Sequence, residues 1–192
     1  MQGYKKNSYN GLNVDDRPLV TNLATLEQYE ADVKETIEAN RPKPVKVVVF
    51  NADDLSQTTY DSTVNEENGL ILVATSDKKM EKKSAASSFT HNGISYTTEY
   101  GLSVGGKASF GSNRYVSFTV EGPCTITIAV RSSGSDARTL LLVDAAGNNI
   151  GSYEAGTSLT VSSVDVTEAG TYSVGSAGNG MYIYVIIIEY FE

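Results

Sequence analysis

The chain has 192 residues, 23 acidic and 15 basic side chains, one histidine, one cysteine and a formal charge of −8. A sequence pI near 4.7 argues against general nucleic-acid binding, which needs clustered lysine and arginine. The lone cysteine excludes a disulfide scaffold, no apolar run approaches the ~18 residues a membrane span requires, and recurring β-branched and aromatic residues exclude low-complexity disorder.

Residues 1–21 are polar and aromatic, without apolar periodicity, and Pro18 interrupts any helix. They are expected to form an extended arm with no core of its own. Met1 is followed by Gln2 to Asn7 with no apolar stretch, so no secretory signal is expected at this point. Residues 22–44 are predicted as a short helix and a stiff linker. Thr25-Leu26-Glu27-Gln28 fits a capping box. Leu23, Leu26, Val33 and Ile37 fall on a narrow stripe interrupted by Glu30, closer to a coiled-coil seam than to a wide core face. Such a helix either self-associates, as a dimer or trimer, or packs on its own domain. Asn40-Arg41-Pro42-Lys43-Pro44 then ends it.

Residues 45–192 are expected to be all-β, an antiparallel β-sandwich of jelly-roll-like form. Val45 to Phe50 and Leu70 to Ala74 are dense β-branched or apolar runs. Val116, Phe118 and Val120 alternate with polar partners, as do Cys124, Ile126, Ile128 and Val130. Thr139 to Val143, Leu159 to Val161, Thr171 to Val174 and Tyr182 to Ile188 follow. The last run is apolar on both faces and is expected to be a central strand. Turn residues separate the runs at Gly122-Pro123, Gly134-Ser135-Asp136, Gly147-Asn148-Asn149 and Gly178-Asn179-Gly180. No strand–helix alternation of the Rossmann or barrel kind is present.

Catalytic motifs are sparse. His91, in Thr90-His91-Asn92-Gly93, is expected in a solvated turn, and no Gly-x-Ser-x-Gly elbow accompanies it. One His and one Cys cannot supply a zinc site. Cys124 opens an apolar strand and is expected to be a small buried hydrophobe. Gly101 to Ala108 nearly spells a phosphate loop, but Ala108 stands where the magnesium-binding hydroxyl belongs, so a hairpin is expected. Asp53-Asp54 and Glu66-Glu67 read as loop charges. Asp136, Asp144 and Asn148 could ligate calcium in a loop, without EF-hand spacing to support it. No cofactor and no metal are therefore assigned. Charge placement is more telling. Eight of the nine basic residues after the linker lie between positions 78 and 138, and none follows Arg138. If they converge, an acidic protein can still hold an anionic ligand locally. The run Lys78 to Lys83 by itself reads as a charged loop. Twelve tyrosines and no tryptophan add flat faces with polar tips, suited to sugar rings.

The run Gly122 to Gly151, with Phe50-Asn-Ala-Asp-Asp-Leu, Ala74-Thr-Ser-Asp-Lys-Lys and Gly180-Met-Tyr-Ile-Tyr, resembles modules appended to bacterial pectate lyases and related secreted polysaccharide-degrading enzymes, over roughly residues 48–190. The resemblance implies a non-catalytic β-sandwich, similar to pectin-binding modules whose basic side chains meet uronate carboxylates. By position, Lys79, Lys107, Arg114, Arg131 and Arg138 are the implied ligand-binding residues, although Arg114 and Arg138 could equally brace the fold through buried ion pairs. The arm and helix ahead of the sandwich resemble the layout of phage head fibres and capsid decoration proteins. Two expectations follow. In one, residues 1–40 anchor the chain to a larger capsid-like assembly at a virion surface and the sandwich binds polysaccharide, with no nucleic-acid or membrane partner. In the other, the chain is the carbohydrate-binding module of a secreted, extracellular pectin-degrading enzyme.

Overall fold

The computed structural model describes residues 23–39 and 43–191. The expected arm and most of the expected linker lie outside the described residues. The chain divides into two compact units, Met1–Lys43 and Pro44–Glu192.

The first unit contributes one described element, helix α1 (Leu23–Ala39). Thr25 is already inside the helix, so it is not the cap that the sequence predicts. Gln28 instead donates its amide to Asp32 Oδ1 at 2.6 Å, one turn on. Of the expected stripe, Leu26 is half-buried and Val33 is exposed. The side chains of Leu23 and Ile37 are outside the description.

The second unit is an antiparallel sandwich, as the alternating runs predict. In chain order its strands are β1 (Lys46–Asn51), β2 (Thr59–Tyr60), β3 (Val64–Glu67), β4 (Leu70–Val73), β5 (Met80–His91), β6 (Ile94–Ser103), β7 (Tyr115–Val120), β8 (Cys124–Ser132), β9 (Arg138–Asp144), β10 (Asn149–Ala155), β11 (Thr160–Val166), β12 (Gly170–Ser176) and β13 (Met181–Tyr190). One sheet has the order β11-β8-β13-β6-β5-β2, with β1 also paired to β13; the other has the order β10-β9-β12-β7-β4-β3. The core between them takes one face of each strand: Ile126, Ile128 and Val130 from β8, Val116, Phe118 and Val120 from β7, Leu140 and Leu142 from β9, and Ile183, Ile186 and Ile188 from β13. Tyr153 of β10 crosses the core and donates its hydroxyl to the Ile126 carbonyl at 3.0 Å, so its buried polar end is satisfied.

Strand β13 is central, as its two-sided apolarity predicts. Along one edge it pairs with β8 over its whole length. Its other edge is shared: β6 takes Tyr182 and Ile183, and β1 takes Val185 to Tyr190. The remainder of the long β5–β6 hairpin therefore has no place in the sheet. A register shift between Ser84 and Ser87 lets it leave, and it lies over the outer face. There Ala85, Phe89 and Tyr96 pack on a second cluster of Ala129, Tyr184, Val185 and Ile187. Phe89 and Tyr96 stack with ring centroids 5.0 Å apart. The hairpin tip is pinned by Glu189 of β13, which lies 2.8 Å from His91 Nε2 and accepts from Asn92 Nδ2 at 2.8 Å.

Four expectations are corrected by this packing. His91 is not a solvated turn residue but ends β5 against buried Glu189. The Lys78 to Lys83 run is not a loop, because Met80 opens a strand and is fully buried. Lys82 turns its ammonium onto the carbonyls of Asp53 and Leu55, at 2.7 and 2.9 Å, with the Tyr100 ring beneath it. Glu67 is a buried strand residue accepting from the Ser56 amide and hydroxyl, and Asp53 accepts from the amides of Glu99 and Tyr100. Gly101 to Ala108 is not a hairpin: Gly101 to Ser103 complete β6, and an irregular segment follows.

Cys124 is buried, as expected. Burial, with a smaller contribution from Asp165, pushes its thiol up from 9.0 to about 11. The native thiol should react with a disulfide reagent at pH 8 far more slowly than in denaturant. Because folding favours the neutral thiol, its stabilising contribution is complete below pH 9 and is lost as the pH rises towards 11. Urea unfolding of wild type and Cys124→Ser across this window measures it; fast native labelling would contradict the burial.

Candidate functional site

The antiparallel topology collects five connections at one end of the sandwich, β4–β5, β6–β7, β8–β9, β10–β11 and β12–β13, with the short β2–β3 connection beside them. Lys79 lies in the first, Lys107 and Arg114 in the second, Arg138 at the close of the third, and Arg131 near the end of β8. All five implied binding residues are therefore brought to one region, but their surroundings divide them into two kinds.

Arg114 and Arg138 are built into the loops. Arg114 sits at φ +59°, a left-handed conformation that a side chain adopts at a cost. This turns its guanidinium against Gly105 and Gly106; a Cβ at Gly106 would fall 2.6 Å from Arg114 Nη1. Gly106 in turn bridges to Asn179 of the β12–β13 loop. Arg138 donates Nη1 to the Ser133 hydroxyl at 2.9 Å and to the Gly180 carbonyl. The same carbonyl accepts from the Ser133 hydroxyl at 2.7 Å, while Ser176 Oγ holds the Asn179 carbonyl at 2.5 Å. The two arginines brace the fold, as the sequence left open, but through backbone and hydroxyl contacts rather than buried ion pairs. The buried Nε atoms of both lack a hydrogen-bond partner among the described residues.

Lys79 and Lys107 are exposed, and no ion-pair partner holds either among the described residues. Arg131 is different again. It stands opposite Tyr182 on the outward side of β8 and β13. Its guanidinium carbon lies 5.6 Å from the Tyr182 ring centroid and 5.8 Å from that of Tyr184. Tyr184, two residues on, shares the outer side with Tyr182, and a bulge between Ile183 and Val185 places Val185 there too before Ile186 returns to the core. The two rings are 6.3 Å apart and tilted at 49°. Burial pushes the Tyr184 phenol up, opposed by the charge of Arg131. Tyr182 remains half-exposed. Gly101 of β6 makes room for this pair: a Cβ there would lie 3.1 Å from Tyr182 Cβ and 3.2 Å from Tyr184 Cε1. On the same side Lys83 pairs with Glu81 at 2.8 Å.

The tyrosine pair and Gly101 were not singled out by sequence reasoning. Tyr182 and Tyr184 alternate with an apolar residue, a pattern shared with ordinary core packing, and the bulge at Tyr184 leaves no mark in one sequence. The calcium grouping is not formed. Asp136 lies in the β8–β9 loop, whereas Asp144 and Asn148 lie at the opposite end. The Asp144 carboxylate accepts from Asn148 Nδ2 and from the amides of Ala146 and Asn148, at 2.8 to 2.9 Å. These bonds, the Asn148 side chain foremost, hold it below its ordinary value. No cluster of three or more His, Cys, Asp or Glu side chains suited to a metal exists among the described residues. No helix among them is long and apolar enough to cross a membrane.

No family model matches the sequence, and no curated protein matches it. Solved structures do. A chain from work on glycan recognition by the Ruminococcus flavefaciens cellulosome is 14% identical, over 78% of this chain and 97% of that one, with a TM-score of 0.42. A family 35 carbohydrate-binding module from Clostridium thermocellum is 12% identical, over 75% and 98%, with a TM-score of 0.41. The N-terminal tandem CBM22 domain of Paenibacillus barcinonensis Xyn10C is 9% identical, over 80% and 48%, with a TM-score of 0.46. At these identities, and with TM-scores below 0.5, none of the three assigns a role to the residues described above.

Gly101→Val should drive the two tyrosines off the sheet and cost about 1–3 kcal/mol, as overpacking does. Urea denaturation reads the loss; a variant as stable as wild type would mean that the rings do not lie on Gly101.

Proposed function

We propose that the sandwich is a non-catalytic carbohydrate-binding module for an anionic polysaccharide, with uronate sugars the preferred class. The observation that carries this reading is the placement of the Arg131 guanidinium over half-buried Tyr182, beside a loop end that presents exposed Lys79 and Lys107. A sugar ring offers a C–H face that stacks on tyrosine, and its carboxylate pairs with a guanidinium held in a fixed plane. The rings already restrain Arg131, so less side-chain freedom is lost on binding. Lys79 and Lys107 add long-range attraction for the next charged units along the polymer. Arg114 and Arg138 position the loops and do not touch ligand. The absence of catalysis is argued from what stands elsewhere: the single histidine is tied to Glu189 at the far end, and the single thiol is buried.

Residues 1–43 form a compact unit of their own, with an exposed valine and tyrosine on α1. This supports the reading in which they attach the module to a larger assembly of the capsid-like kind, placing the protein on a virion surface. The alternative is a module belonging to a secreted pectin-degrading enzyme. The binding chemistry is the same in both; removal of residues 1–43 abolishes incorporation into a particle only in the first, and normal incorporation of the truncated chain would refute it.

Titration with homogalacturonan and with an uncharged galactan tests the binding. Affinity for the uronate should fall roughly tenfold or more in Arg131→Ala and in Tyr182→Ala, and should weaken as salt rises above about 0.1 M. Lys107→Ala should act chiefly through the salt dependence. Equal affinity for the uncharged polymer, or no response to Arg131→Ala, would overturn the anionic assignment.

A further inference from the structure

The sandwich has five strands with an edge that no described strand pairs: β1, β2, β3, β10 and β11. An open edge presents unpaired amides and carbonyls and invites another strand, so natural sheets guard such edges with bulges, charge or brevity. Four of the five are guarded in this way. β2 has only two residues. β3 has a register shift between Val64 and Glu67 and carries two glutamates. β10 is broken by a shift between Asn149 and Gly151. β11 carries Asp165 on its outward side.

β1 has none of these devices. It runs Lys-Val-Val-Val-Phe-Asn in unbroken register with β13. No backbone hydrogen bond of this segment outside its bonds to β13 exists among the described residues. Its outward side chains are apolar and open: Val45, Val47 and Val49 are 60%, 42% and 41% exposed. Its one charge does not defend the edge, because Lys46 faces the inner side, 2.6 Å from Glu121 and over the Tyr190 ring. Locally, then, a chain with a net charge of −8 is neutral along this edge.

We propose that β1 is a self-association seam, pairing antiparallel with β1 of a second copy about a two-fold axis at Val48. The register is self-complementary. With Val48 opposite Val48, Val47 of each copy faces Val49 of the other on the outer side, and Lys46 faces Phe50 on the inner side. Val47, Val48 and Val49 each meet a valine of their own face, which the period of two demands, Val45 falls opposite Asn51, and the two lysines are kept apart. The cross-strand valine pairs and the newly satisfied amides and carbonyls supply the attraction. The seam lies at the end of β13 remote from Arg131, so a dimer would present two glycan sites that a repeating polymer can engage together. The self-association itself does not depend on the carbohydrate reading.

Sedimentation equilibrium of the full chain across about 1–200 μM tests this, with hydrophobic and electrostatic terms setting the range. The expected species is a dimer of twice the 20.6 kDa chain mass. Val47→Lys with Val49→Lys should weaken it roughly hundredfold. Val33→Lys on α1 should leave it unchanged. As a readout independent of the lysine variant's stability, Val47→Cys with Val49→Cys in a Cys124→Ser background should form interchain disulfides on mild oxidation, since facing residues lie within disulfide reach. A monomer at every concentration, a trimer, a dimer indifferent to the lysines but broken by Val33→Lys, or cysteine variants that never crosslink would each overturn the seam.

Discussion

The shared edge of β13 is the constraint on which the rest of the sandwich depends. A ten-residue strand with β8 along one side has room for a single neighbour on the other, and two strands divide it. Because β1 takes Val185 to Tyr190, β6 holds only Tyr182 and Ile183, and the long β5–β6 hairpin is displaced onto the outer face. That face would otherwise expose Val185 and Ile187 to water. Burying two such side chains contributes about 3–6 kcal/mol, which makes the hairpin a third layer rather than an ornament. At the other end of the strand Tyr184 is buried and Tyr182 stays half-buried beside Arg131.

The molecule is consequently two-ended. At the end where β13 begins, five connections gather the basic side chains, and two arginines are consumed in bracing glycine-rich loops. Half-buried guanidinium contacts of this kind restrict loops, and Lys79, Lys107 and Arg131 stand on the same frame. At the other end Glu189 pins the hairpin tip, Glu121 neutralises Lys46, and Asp144 closes the β9–β10 turn. Acidic groups there serve the fold, whereas Lys79 and Lys107 at the first end are exposed and Arg131 stands on the outer side of the sheet. An overall acidic charge thus coexists with a cluster of exposed basic side chains at one end.

Much of this arrangement was legible in the residues. Strict alternation in β7 and β8 and the two-sided apolarity of β13 fixed the sandwich and its central strand. The crowding of lysine and arginine between positions 78 and 138 anticipated a basic end, because those positions fall in connections that antiparallel topology collects. Other features were not legible. The Met80 to His91 segment is rich in serine, lysine and alanine and does not alternate cleanly, since its partner face is a covering layer rather than a core. His91 and Glu67 look like surface charges until a partner nearly a hundred residues away, or a serine eleven residues back, is brought beside them. The bulge at Tyr184 puts two consecutive side chains, Tyr184 and Val185, on the outer side, so that the tyrosines face away from the core that Ile186 and Ile188 enter.

Binding and architecture meet in one question, whether the hairpin truly roofs the outer face of β13. Ile187→Cys in a Cys124→Ser background answers it by thiol labelling at pH 8. Under a roof of Phe89 and Tyr96 the new thiol should react orders of magnitude more slowly than an exposed control at position 94 and at the free-thiol rate only after unfolding. Rapid labelling in the native protein would show the face to be open and would contradict the hairpin as a third layer.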